Sequence, residues 1–214
     1  MIHKLTDVRL SFPCLWAPRP IAGDPASKPA WSANFLLAGV HQMAPHANDS
    51  PAAVALKDIV KAVALAKWGE KQASQILEDL YRKDRVCLHD GGDKEYDGYE
   101  GLLFVSARSY IAPLVCARDP FVRDENGKPV IDPATGRTVP AILTEASGVI
   151  YGGCYVDASL DVYAQDNQFG RRINATLRGV RFVKDGDAFA AGPAASASEF
   201  GDPDLSVEDA ASLV

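Results

Sequence analysis

Basic residues stop at Lys184. The last thirty of the 214 residues hold seven acids (Asp185, Asp187, Glu199, Asp202, Asp204, Glu208 and Asp209) and neither Lys nor Arg. The formal net charge of −6 therefore belongs to this tail, because residues 1–184 carry 22 basic and 21 acidic side chains. A near-neutral body with an acidic end keeps a nucleic-acid partner open despite the overall sign. Apolar runs are short. Stretches such as Leu102–Val105 and Val54–Leu56 are far below bilayer length, and no membrane partner is expected. The opening MIHKLTDVRL has no apolar h-region, so no secretory signal is visible. Cysteines number four and form no CxxC pair, which reads as reduced thiols in a cytoplasmic protein. P-loop, GxSxG and GxGxxG motifs are missing. Cys87 with His89, and His41 with His46, lack a second ligand pair at zinc spacing. No catalytic group, metal or cofactor is nominated, and an enzyme is not expected.

What is present alternates between strand and helix signals. Leu5, Val8, Leu10 and Phe12 predict a first strand ending at Pro13, followed by a Pro-rich loop to Pro29. AWSANFLLAGV, residues 30–40, predicts a second strand. Ser50-Pro51 opens a helix with Ser as N-cap and Pro at its first position. Leu56, Ile59, Val60 and Val63 make one apolar stripe, with Lys57, Lys61 and Lys67 off it. Gly69 interrupts the helix, which resumes from 70 to 81. Strand signals return at 86–89 and 101–115, broken at Pro113. A polar arm over 121–139 carries two turn signals, Asn126-Gly127 and Pro133–Gly136, the first a good hairpin turn.

The clearest element is the last hairpin, 153–165 against 171–183. Val156, Ala158, Leu160 and Val162 share one face with Ile173, Ala175 and Leu177 opposite. Tyr155, Asp157, Asp161 and Tyr163 share the other with Arg172 and Arg178. Parity slips at Gly179, which predicts a bulge or sharp bend. The sum is a mainly β (α+β) domain over 1–184, most simply a small closed barrel with an inserted helix. Residues 185–214 form a second segment, an acidic tail expected to be disordered.

Single-strand binders combine cations that follow phosphates with rings that stack on any base. The hairpin supplies both: Arg171, Arg172, Arg178, Arg181 and Lys184, with Tyr155 and Tyr163 on the same outward side. Arg108 and Tyr110 on the strand 102–111 repeat the pairing. The competing explanation is an ordinary solvated face, which Asp157 and Asp161 favour. Tyr110 could equally be core if its strand is buried on both sides.

The segment GGCYVDASLDVYAQDNQFGRRINATLRGVRFVKDGDAFAAG, residues 152–192, resembles a characteristic stretch of a phage single-stranded-DNA-binding family once catalogued as a domain of unknown function. DVRLSFPCLW, AWSANFLLA, Lys67-Trp68-Gly69 and Val105–Ser109 fit the same family. The resemblance implies a five-stranded Greek-key OB-fold barrel with a helical insertion. It also implies sequence-tolerant binding of single-stranded DNA in phage replication, recombination or repair. Phage or host replication proteins become expected partners of the tail, although the end at Leu213-Val214 lacks the aromatic residue common in such tails. Two other functions stay open: a strand-annealing recombination mediator, and a virion or assembly protein with no nucleic-acid role.

Overall fold

A computed structural model describes residues 1–21, 24–43 and 45–189. Ten helices and strands matter here. They are β1 (Ile2–Arg19), β2 (Ala30–Ala38), α1 (Pro51–Trp68), α2 (Glu70–Arg82), β3 (Leu88–Asp90), β4 (Leu102–Ser109), β5 (Leu114–Phe121), β6 (Pro140–Ile142), β7 (Tyr155–Asn167) and β8 (Gly170–Lys184).

β1 runs through Pro13 rather than ending there. Its first half pairs with β7 and its second half with β2. The register shifts between Leu5 and Val8 and again between Ser11 and Cys14. At these shifts Asp7 and Phe12 take left-handed φ of 52° and 45°. A proline, which has no N–H to give a ladder, is tolerated beside such a bulge. The two bends let one strand of 18 residues serve both sides of a barrel.

The sheet order is β3-β4-β2-β1-β7-β8-β5-β6. Between β4 and β8 the ring is closed by the segment 85–88. Val86 bridges Ile173 in parallel, the Ile173 N–H donates to the Arg85 carbonyl, and the Ser106 N–H donates to the Cys87 carbonyl. The barrel order is thus β1-β2-β4-β8-β7 and back to β1, the connectivity of the OB-fold. Leu5, Leu10, Phe35, Leu37, Val105, Leu160 and Leu177 fill the interior.

The helical insertion forms as the sequence predicts. Ser50 Oγ accepts from the Ala53 N–H at 3.2 Å, Pro51 opens α1, and Gly69 at φ 73° divides α1 from α2. Leu56 and Val60 of α1, with Ile76 and Leu80 of α2, join the barrel core. Lys57, off the apolar stripe, is nevertheless buried. It is 4% exposed, and its Nζ reaches Asp49 Oδ2 at 2.6 Å and the Val40 carbonyl at 3.0 Å. Burial pushes the Asp49 carboxyl up. The Lys57 hydrogen bond and the N–H groups of Val40 and His46 outweigh that and hold it below the usual range.

The bulge on β8 lies where parity slips. Ser159 faces Gly179 and Leu160 faces Leu177, which leaves Arg178 as the extra residue. Glycine is needed there because β5 joins β8 in parallel, Leu114 beside Gly179. A Cβ on Gly179 would come within 2.9 Å of the Leu114 carbonyl oxygen. The arm between β5 and β6 folds into a small exposed meander. Its two turns close at Gly127 (φ 75°) and Gly136 (φ 67°).

Residues 185–189 continue from β8 along the barrel surface. Arg9 donates to the Asp187 carbonyl at 2.6 Å and lies over the Phe189 ring at 4.3 Å, while the Phe189 N–H donates to the Gly152 carbonyl. From residue 190 the expected disordered acidic tail lies outside the described residues.

Candidate nucleic-acid interface

The long hairpin carries its cations and rings on two separate sites. Eight residues of strand separate Tyr155 from Tyr163, roughly 26 Å at the usual rise. The two rings line different depressions.

The distal half, near the turn, opens onto a groove of about 400 Å³. Tyr163, Arg172 and Asn174 reach it from the hairpin, Arg108 and Tyr110 from the end of β4, and Arg85 from the closing segment. Tyr163 is 42% exposed and Tyr110 58%. Lys28 Nζ lies 4.5 Å from the Tyr110 ring centre and the Arg108 guanidinium 5.9 Å from it. Arg108 donates to the Lys28 carbonyl at 2.6 Å, yet its Nε is buried without a partner. Such an orphan donor costs about 1–3 kcal/mol until something accepts from it. Arg172 stands opposite Gln165, and its guanidinium makes no hydrogen bond or ion pair among the described residues. His89 lines the same groove, stacked on Phe104 at 4.8 Å, with Nδ1 2.6 Å from Asp84 Oδ1.

The proximal half is different. Arg181 pairs with Asp157, which also takes Lys4 at 3.1 Å and the Asp7 N–H at 3.0 Å. Asp157 is 5% exposed. Burial pushes its carboxyl up, and the Asp7 N–H, Arg181 and Lys4 together bring it below the usual range. Lys184 pairs with Asp7 at 2.9 Å and sits 4.5 Å over the half-buried Tyr155 ring. Each proximal cation of β8 except Arg178 is paired with a carboxylate, Arg181 sharing Asp157 with Lys4. Arg178 is exposed on the bulge, away from the groove.

Arg171 belongs to neither set. It lies at the hairpin tip, bound to Asp166 at 3.0 Å, and Asp166 also accepts from Trp68 Nε1 at 3.0 Å. Of the nine residues nominated from the sequence, the groove gathers Arg108, Tyr110, Tyr163 and Arg172. Arg171 lies beyond its end, and Tyr155, Arg178, Arg181 and Lys184 lie elsewhere.

Sequence reasoning missed Arg85, His89 and Lys28. Arg85 closes the basic run Arg82-Lys83-Asp84-Arg85 after α2, which was the available signal. Its placement depends on the Val86–Ile173 bridge, which no periodicity reveals. Cys87 is buried and its thiol is pushed up to about 12 by that burial, so it presents no reactive sulfur to the groove. Among the described residues no three His, Cys, Asp or Glu side chains could together hold a metal ion.

Comparison with known proteins agrees with this architecture. Residues 2–211 match the family model described as Enterobacter phage Enc34, ssDNA-binding protein. Putative protein p50 of Acyrthosiphon pisum secondary endosymbiont phage 1 is 37% identical over 207 residues, spanning 96% of each chain. Two solved structures share the fold at 23% identity. The C-terminally truncated single-stranded DNA-binding protein of bacteriophage Enc34 has a TM-score of 0.52, covering 88% of both chains. The same protein in complex with ssDNA has a TM-score of 0.51, covering 88% of this chain and 89% of that one. The family is one of binding proteins rather than enzymes. With the model matched over almost the whole length and a relative above one-third identity, this chain belongs to the phage single-stranded-DNA-binding family of the Enc34 protein.

Proposed function

We propose that the chain binds single-stranded DNA in the groove between β4 and the distal half of the β7–β8 hairpin, with little regard to sequence, during phage DNA replication, recombination or repair in the bacterial cytoplasm. One observation carries this reading. Three guanidinium groups, Arg85, Arg108 and Arg172, and two exposed rings, Tyr110 and Tyr163, converge on one groove whose cations are mostly free of carboxylates. The arginines take phosphates. The rings stack on bases at about 1–3 kcal/mol each, which tolerates any sequence because every base has a π-face. The acidic tail competes with DNA for these cations and docks replication partners when DNA displaces it.

The test is a fluorescence-anisotropy titration of oligo-dT and of a duplex of equal length, at low and moderate salt. The whole chain and a version ending at Gly192 are compared. Binding is expected to favour the single strand, to weaken with salt, and to strengthen without the tail. Arg108→Ala combined with Arg172→Ala is expected to lose roughly 30-fold in affinity and to flatten the salt dependence by about 0.7 per lost phosphate contact. Unchanged affinity in that variant overturns the groove. No single-strand binding by either version overturns the function.

A further inference from the structure

The groove does not stop at the barrel. Beyond Arg85 lies a second depression of about 380 Å³, walled by Gln75, Asp79 and Lys83 on one side and Arg171 on the other. Arg85 lines both spaces. We propose that a bound single strand crosses Arg85 from the groove into this depression, so that the helical insertion and the hairpin tip form one end of the DNA site. This extension rests on the single-strand-binding function proposed above.

The backbone at Arg85 is fixed from two sides. Its N–H donates to the Leu80 carbonyl at 2.8 Å, which ends α2, and its carbonyl accepts from Ile173 at 3.0 Å, which closes the barrel. Asp84 makes the intervening turn at φ 52°. The guanidinium makes no hydrogen bond or ion pair among the described residues. It lies across Gly170, where an added Cβ would stand 2.7 Å from Nη1. Glycine at φ 94° both turns the hairpin and leaves room for the guanidinium.

The next cations along this line are held only loosely. Lys83 pairs with Asp79 at 2.8 Å and Arg171 with Asp166 at 3.0 Å, all four side chains being well exposed. Lys83 is the main cause of the lowered Asp79 carboxyl, with Arg82 and Arg85 adding to it. Exposed pairs of this kind are weak, so a phosphate can exchange with the carboxylate. Two residues from Arg171, Phe169 at the hairpin tip is 72% exposed, a large apolar ring held mostly in water. A base beyond Arg85 would stack on it. The depression thus offers Lys83 and Arg171 to phosphates, with the exposed ring of Phe169 two residues from Arg171.

The discriminating experiment uses the full chain and an oligo-dT ladder spanning about 4 to 16 nucleotides, the range occupied by one OB-fold. For Phe169→Ala combined with Lys83→Ala, the loss of affinity is expected to grow with length. It should be at most about twofold on the shortest oligomer that binds and five- to tenfold on the longest. The number of nucleotides occluded per chain, read by stoichiometric titration on poly-dT, is expected to fall by two or more. Arg85→Ala is expected to weaken every length. Thermal unfolding of each variant separates these effects from loss of fold. An equal loss at all lengths, or no loss at any length while Arg108→Ala with Arg172→Ala still weakens binding, overturns the extension and leaves the groove intact. Failure of the unaltered chain to bind any oligomer overturns both.

Discussion

The two halves of the β7–β8 hairpin carry the same residue types and put them to opposite uses. Proximally, Arg181 is held by the buried Asp157 opposite it, and Lys184 lies over the half-buried Tyr155 ring and pairs with Asp7. Distally, Tyr163 and Arg172 face neutral partners, Asn174 and Gln165, and their rings and charges stay available. An arginine on the outward face of a strand is therefore not a binding residue by virtue of its parity. The cross-strand neighbour decides. A buried carboxylate opposite, as Asp157 is to Arg181, makes the cation structural, whereas an amide, or an exposed carboxylate such as Asp166 opposite Arg171, leaves it for a ligand.

The sharpest test of that rule lies outside the hairpin, where pairing is complete. Lys57→Met leaves the buried Asp49 carboxylate without its cation, and is expected to cost about 3–5 kcal/mol in urea unfolding. Adding Asp49→Asn should restore much of the loss, since removing both charges leaves neither stranded. No recovery in the double variant would mean the pair is not the unit that matters.

Next in size is Arg181→Ala. Asp157 keeps Lys4 and the Asp7 N–H, and Arg181 itself is partly open to water, so the expected loss is about 2 kcal/mol of stability. Oligo-dT affinity should stay within twofold. A large loss of affinity with unchanged stability would dissolve the contrast between the halves. The acid limb of stability gives a second reading. The Asp157 carboxyl is lowered in the folded state, so its pairing contributes above the ordinary carboxylate range near pH 4 and is lost as pH falls through the folded value. Urea midpoints measured from pH 7 down to pH 3 should fall on acidification, and less steeply in Arg181→Ala. The smallest effect belongs to Tyr163→Phe, which keeps the ring and is expected to bind within twofold of the unaltered chain, whereas Tyr163→Ala loses about tenfold. Equal losses in the two would assign Tyr163 to hydrogen bonding rather than stacking.

Local periodicity made much of this legible. The capped and interrupted helix, both turns of the arm and the slip at Gly179 follow from spacing and residue type, and the structure has them all. The outward faces of Arg172 and Tyr163 were readable in the same way. Long-range neighbours were not readable. Asp49, which pairs with Lys57, lies eight residues back, just before the N-cap of α1, and a helical stripe sees only the helix. The parallel approach of β5 to β8, the carboxylates opposite Arg181 and Lys184, and the arrival of Arg85 beneath Gly170 all depend on how the ring closes.

That closure has a dynamic consequence. Every other junction of the barrel is a ladder of several residue pairs, but among the described residues the hydrogen bonds that join β4 to β8 run through the short segment 85–88. Cooperative opening follows the weakest line, so the amides of Ile173 and Ser106 should exchange with solvent sooner than those buried in the β1–β7 ladder. The groove lies directly over this line, with Arg108 on one bank and Arg172 on the other. A strand held by both banks would stitch the barrel shut, so that the ligand also slows the breathing of the fold that holds it.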